Sequence, residues 1–229
     1  MVHGRETAQF LYIMSNQKKI RSKIRCNFAD VYAQILKDIG ITVAPPDRYP
    51  KIYIGPRDAH YAQDFLAEHS VLDTDVTIGF QIGAFSHDKR WPVTYFRDLA
   101  EKIYDTYNAQ IIITGSPHEA HTIITDMVSG MKKKPIIAAG KTNMRQTAAI
   151  INRCTVFVSN DTGPMHIAAA LGIPIVALFG MQRSIPEESR PWGTHHIVIA
   201  RERIADISVE EVFTAVEKQI TSLSVSSSL

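Results

Sequence analysis

The sequence predicts an α/β fold built on a parallel, doubly wound sheet, and three observations carry that prediction. From Val76 onward, short apolar runs alternate with amphipathic stretches, the rhythm of strands joined by crossover helices. The segment Val156–Gly180 holds a complete strand, tight turn, helix, strand unit. The turn-rich stretches Gly83–Pro92, Gly115–Glu119, Gly140–Met144 and Asp161–His166 all fall where a strand gives way to a helix. In a doubly wound sheet ligands sit beyond the carboxyl ends of the strands, so these four turns share one edge and mark a site.

Taken in order, the chain opens with a short apolar run, Phe10–Met14, followed by Lys18, Lys19, Arg21, Lys23 and Arg25. Ile20 and Ile24 lie one helical turn apart within it. This stretch reads either as a solvated helix face or as a surface meeting an anionic acceptor or membrane. Asn27–Ile39 is predicted as a helix from the spacing of Phe28, Val31, Ile35, Leu36 and Ile39, with Gly40 closing it. After the prolines at 45, 46 and 50, Lys51–Gly55 reads as a short strand and His60–His69 as a helix. Strands follow at Val76–Ile82, Ala109–Thr114, Pro135–Ala139, Thr155–Val158, Pro174–Phe179 and His196–Ala200. Helices alternate with them at Pro92–Tyr107, Pro117–Met131, Asn143–Arg153, Pro164–Leu171 and Ser208–Ile220. In the first of these helices Phe96, Leu99, Ala100, Ile103 and Tyr107 form one apolar stripe. The last opens with Ser208 and Glu211 at capping-box spacing. A Ser-rich tail closes the chain.

Composition narrows the class. In 229 residues, 45% hydrophobic content supports a real core, and a net charge of +2 is too balanced to argue for nucleic acid as a partner. The two cysteines, Cys26 and Cys154, are far apart and lie in or beside apolar segments, which argues for a reducing cytoplasm rather than a disulfide scaffold. No apolar run approaches the roughly 20 residues that span a bilayer. His118 with His121, and His195 with His196, have no carboxylate or cysteine at ligand spacing, so no metal is expected.

The turn Ser159–Pro164 is built for an anion. Asp161 or Thr162 can cap the helix, and Pro164 suits its first position, where a missing N–H costs nothing. Gly163 has no Cβ, so a ligand can approach the backbone. Free amides and the helix dipole at that end favour a phosphate. The other reading is an ordinary capped crossover helix.

These residues carry a resemblance. The stretch from Asp161 to Gly180, DTGPMHIAAALGIPIVALFG, strongly resembles the signature of the family 9 glycosyltransferases, the ADP-heptose–lipopolysaccharide heptosyltransferases. Further matches lie in order: Gly83-Ala84 with Lys89-Arg90-Trp91-Pro92, then Gly115 to Glu119, then Gly140 to Met144. The resemblance implies a GT-B-type fold. A partial N-terminal, acceptor-side domain would occupy residues 1–74, a nucleotide-sugar donor-binding domain residues 75–221, and a flexible tail 222–229. The family's first strand, its Gly-rich loop and the acidic residue that acts as base have no counterpart here. The implied activity is inverting transfer of heptose from ADP-heptose to a lipid-linked saccharide acceptor of the lipopolysaccharide core. No cofactor is implied. The implied place is the cytoplasm, peripheral to the inner membrane.

Residue by residue, the resemblance makes Lys89 the stabiliser of the departing diphosphate, whose negative charge grows as the bond breaks. Ser86 is the one hydroxyl left on its loop, where Phe85 departs from the family's small hydroxyl residues. Glu119 either accepts from both ribose hydroxyls or closes a capping box with Ser116. Backbone groups from Thr142 to Met144 would read the adenine edge. Thr162 and Gly163 would give amides to phosphate, Asp161 would face the sugar hydroxyls or cap the helix, and His166 would reach the same anion from the first helical turn. A different class stays open: a truncated module that binds the nucleotide sugar without turning it over. A nucleotide-sugar epimerase on the same fold is disfavoured by Thr162-Gly163-Pro164 and His166.

Overall fold

Six apolar runs enter one parallel sheet in this computed structural model, which describes residues 27–38, 40–44, 50–193 and 195–226. Of the described residues, those up to Pro50 together with Ile185–Arg190 form one compact unit, and the rest form another. The smaller unit contains helix α1 (Phe28–Asp38), closed by Gly40 at a left-handed φ of 85°. Within that unit Asn27 Nδ2 donates to Arg190 O at 3.0 Å. The apolar run at Phe10–Met14 and the basic stretch after it lie outside the described residues.

The larger unit begins with α2 (Pro56–Glu68) and β1 (Thr77–Gln81), then α3 (Val93–Tyr107) and β2 (Gln110–Thr114). The short helices α4 (Pro117–Ala120) and α5 (Ile123–Val128) lead to β3 (Ile136–Ile137) and α6 (Met144–Ile151). Then come β4 (Val156–Asn160), α7 (Gly163–Ala170) and β5 (Ile175–Gly180). A short helix of the smaller unit, α8 (Pro186–Ser189), precedes β6 (Ile197–Arg201) and α9 (Val209–Ser226). The strand order is β3-β2-β1-β4-β5-β6, every pairing parallel. Parallel strands need crossovers, and the order reverses between β1 and β4, which places the switch point of the sheet there.

Side chains alternate across each strand, and the two faces bury different sets. On one face Phe80, Ile111, Ile113, Val158 and Leu178 pack with Phe96, Leu99 and Ile103 of α3 and Val212 and Val216 of α9. On the other, Phe157, Ile175, Ala177 and Phe179 pack with Met165 and Ala168 of α7. Trp91 is fully buried, its ring edge-on to Phe96 at 4.9 Å, a geometry worth about 0.5–1.5 kcal/mol beyond area burial. Cys154 is a buried free thiol, and burial pushes its pKa up to about 12.

The six strands match the sequence reading, and four other expectations are corrected. Lys51–Gly55 joins no sheet and has no ladder partner among the described residues, with Ile52 and Tyr53 exposed. Helix α2 starts at Pro56, earlier than His60, because Gly55 takes the cap and proline suits the first turn. Its Ala62, Phe65 and Leu66 pack with Ile112, Ala138, Ala149 and Ile150. The helix read as Pro117–Met131 is two helices, because Thr122 leaves helical geometry at φ −124° and ψ −100°. The last helix runs to Ser226, past Ile220 and into the stretch read as a tail.

Candidate functional site

The loops that follow β1 and β4 meet at the switch point through an ion pair. Lys89 ends a single 3₁₀ turn (His87–Lys89) on the first loop, and its Nζ lies 2.6 Å from Asp161 Oδ2 at the end of β4. The Asp161 side chain is 8% exposed and the Lys89 side chain 28%, so this pair is shielded from water far better than a surface salt bridge. Asp161 therefore does not cap α7. Thr162 occupies the N-cap position, but no side chain caps the helix. Gly163 is the first helical residue and Pro164 the second, one place later than the sequence suggested. The amides of Thr162 and Gly163 donate to no other described residue, so the positive end of the helix is left open.

Two residues not singled out in the sequence hold this junction. Asn160 is fully buried at the end of β4. Its Oδ1 accepts from Trp91 N at 3.1 Å, and its Nδ2 donates to Ile82 O at 2.9 Å. One side chain thus ties the β4 turn to both ends of the β1 loop. Ser184, after β5, donates its hydroxyl to Asp161 Oδ2 at 2.6 Å. Arg90, beside Lys89, turns away and braces its own loop, Nε donating to Ala84 O at 2.8 Å.

A cleft of about 550 Å³ opens beside the pair, between the loops after β1, β2, β3 and β4. Glu119, Thr162 and Gly163 line it, as do Phe85, Met144 and Ile167. Phe85 and Met144 are among the most exposed large apolar side chains of the described residues. Glu119 forms the capping box: Ser116 N and Oγ donate to Oε2 at 2.6 and 2.9 Å, and Glu119 N donates to Ser116 Oγ at 3.3 Å. All of these bonds use Oε2 or the backbone, which leaves Oε1 without a partner among the described residues. Oε1 lies over Gly83, where a Cβ would stand 1.5 Å from it. A Cβ on Gly163, by contrast, would meet nothing within 4 Å.

The remaining expected residues lie around the rim. Thr142 does not line the cleft; its hydroxyl pairs with Thr147 Oγ1 at 2.8 Å, and it is Met144 and Thr147 that face the cavity. Ser86 sits before the 3₁₀ turn and also lies outside the lining. His166 is exposed, one turn into α7. Desolvation by its surroundings lowers its pKa, and the Asp161 carboxylate pulls the other way. No metal-holding group of three His, Cys, Asp or Glu side chains exists among the described residues.

Fold and site together define a doubly wound α/β domain whose open helix terminus, lysine–aspartate pair and adjoining cleft gather at the switch point. The chain belongs to glycosyltransferase family 9 (heptosyltransferase), whose family model matches residues 4–216. It is similar to lipopolysaccharide heptosyltransferase 2 of Escherichia coli, 32% identical over 139 residues, covering 59% of this chain and 39% of that protein. The crystal structure of a family 9 glycosyl transferase from Veillonella parvula superposes with a TM-score of 0.80 at 30% identity, covering 87% of this chain and 62% of that one. E. coli ADP-heptose lps heptosyltransferase II gives 0.69 at 26% identity, over 80% of this chain and 56% of that one. The chain thus spans less than two thirds of the length of these relatives. The fold is of the GT-B type, with a Rossmann-like larger unit.

Proposed function

We propose that this chain carries the donor site of a glycosyltransferase that moves heptose from ADP-heptose to a lipopolysaccharide core acceptor, with inversion at the anomeric carbon. The observation that carries this reading is the convergence of Lys89, Asp161 and the uncapped α7 terminus at the switch point. The diphosphate rests against the amides of Thr162 and Gly163, whose missing Cβ answers to no neighbour within the protein and so suits a ligand's approach. Glu119 Oε1 accepts from the ribose while Oε2 keeps the cap, so both roles read from the sequence coexist. Backbone groups from Thr142 to Met144 meet the adenine edge. Asp161 faces the sugar hydroxyls, His166 reaches the phosphate from the first turn of α7, and Ser86 adds a hydroxyl on the Lys89 loop.

In the transfer, the acceptor oxygen attacks the anomeric carbon as the bond to the diphosphate breaks. The hydroxyl proton goes to a base and the electron pair to the leaving group. Lys89 leaves Asp161 and neutralises that growing charge, and removing such a donor typically costs ~10²–10³-fold in rate. The acceptor is lipid-linked, and the protein works in the cytoplasm against the inner membrane. Among the described residues no helix is long and apolar enough to cross a membrane. The residues 1–74 and 75–221 read from the sequence correspond to acceptor and donor sides.

A second reading is nucleotide-sugar binding without turnover. It is favoured by the engagement of both carboxylates at the site, Glu119 in a cap and Asp161 with Lys89, which leaves neither as an evident base. Release of ADP from ADP-heptose in the presence of a core acceptor separates the two. Calorimetric titration with ADP, GDP and UDP tests the donor assignment itself: ADP is expected to bind best, and preference for UDP or GDP would contradict it.

A further inference from the structure

Ser184 lies outside every pattern in the sequence, yet its hydroxyl is committed to the site. The residue is 6% exposed, and its Oγ donates to the same Asp161 oxygen that accepts Lys89, both at 2.6 Å. Its place is fixed by a turn after β5, in which Arg183 N and Ser184 N both donate to Gly180 O at 3.1 Å. Arg183 Nε then donates to Asp88 Oδ2 at 2.9 Å, so this turn also grips the residue next to Lys89. The loop after β5 thus holds both partners of the ion pair, one by contact and one through its neighbour.

Resting on the donor-site reading above, we propose that Ser184 is a positioning residue that lets Lys89 leave Asp161 for the diphosphate. A serine hydroxyl has one proton to give, and here it goes to Asp161, whereas the lysine ammonium has three and can be shared or redirected. When a diphosphate arrives, Lys89 turns toward it and Asp161 faces a new negative neighbour. A buried carboxylate stripped of its cation beside an anion is costly unless a hydrogen bond remains. Ser184 supplies that bond, and it also keeps the carboxylate aimed while the ammonium is away. Asp161 therefore has one permanent partner and one that moves.

The test compares ADP with AMP by calorimetric titration of the full chain. A monophosphate lacks the second phosphate and does not require Lys89 to move. Ser184→Ala is expected to weaken ADP binding by about tenfold, the scale of one charge-assisted hydrogen bond, and to leave AMP binding unchanged. Ser184→Thr, which keeps the hydroxyl, restores ADP affinity. In a Lys89→Ala background the Ser184→Ala effect on ADP disappears, because no ammonium is left to release. Equal loss of ADP and AMP affinity, or full additivity of the two substitutions, would mean that Ser184 only supports the fold and would overturn the proposal. If Lys89→Ala weakens ADP and Ser184→Ala does not, the proposal fails and the donor site stands. A wild-type chain that binds no ADP removes the donor site and this inference together.

Discussion

Glu119 Oε1 occupies the space that a side chain on Gly83 would need: a Cβ there would stand 1.5 Å from Oε1 and 2.3 Å from Cδ. The two residues belong to neighbouring loops, after β1 and after β2, so the absence of one side chain sets the place of another. Gly83→Ala should push Glu119 out of the cleft. Its ADP affinity is expected to fall as far as that of Glu119→Ala, about tenfold or more. The double variant should be no worse than Glu119→Ala alone, since the two changes remove one interaction. Additive losses in calorimetric titration would show that Gly83 acts independently of Glu119.

Gly163 makes the opposite case. Its Cβ would meet nothing within 4 Å and its φ lies outside the left-handed region, so the protein itself accepts alanine there. Gly163→Ala should leave the melting temperature within about 1 °C of wild type, as a strain-free surface change does. ADP affinity should nevertheless fall by about an order of magnitude if the diphosphate approaches where the proposed donor site puts it, because the methyl group would stand in its way. An unaltered affinity would place the ligand elsewhere.

Asn160 is a fully buried amide that bonds to two separate segments. Asn160→Ala leaves Trp91 N and Ile82 O without partners and should cost about 2–4 kcal/mol of unfolding free energy in urea titration. Asn160→Asp keeps an acceptor for Trp91 N but turns a carboxyl toward the carbonyls of Ile82 and Gly83, and should be at least as destabilising. A neutral Asn160→Asp variant would contradict this account of the junction.

His196 makes stability depend on pH at a point remote from the cleft. Burial, then its neighbour His195 at a ring separation of 4.0 Å, lowers its pKa to about 4, while its bond to Trp192 O opposes the shift. Between that value and the ordinary one of 6.5, the unfolded chain binds a proton that the folded chain refuses. The neutral ring is fully compatible with folding above about pH 6.5, and stability is lost as the pH falls from there toward 4, by about 2–3 kcal/mol in all. His196→Gln can still donate to Trp192 O without titrating. Its melting temperature should fall less steeply than wild type's between pH 7 and pH 4.5, and parallel curves would count against the effect.

How much of this was legible in the sequence depended on the range of the interaction. The strands, the stripe of α3 and the Ser208–Glu211 cap follow from local periodicity, and the cap forms with Ser208 N and Oγ each 2.9 Å from Glu211 Oε2. The Ser116–Glu119 box was equally readable. The pairing of Lys89 with Asp161 spans 72 residues, and nothing in local spacing reveals that two loops meet across the switch point. Ser184 and Asn160 were missed for the same reason: each is an ordinary polar residue, one in a turn after β5 and one at the end of β4, and its importance lies in a partner 23 or more residues away. The break at Thr122 was hidden because the apolar pattern continues through it while the backbone does not. Lys51–Gly55 has strand-like residues but no neighbour to pair with, and a strand is defined by its partner.

A crystal of this chain grown with ADP would decide the matter. The diphosphate should lie against the Thr162 and Gly163 amides, with the Lys89 ammonium turned from Asp161 to a phosphate oxygen and Ser184 still bonded to Asp161. A nucleotide whose diphosphate sits away from the α7 terminus, with Lys89 and Asp161 still joined at 2.6 Å, would contradict it.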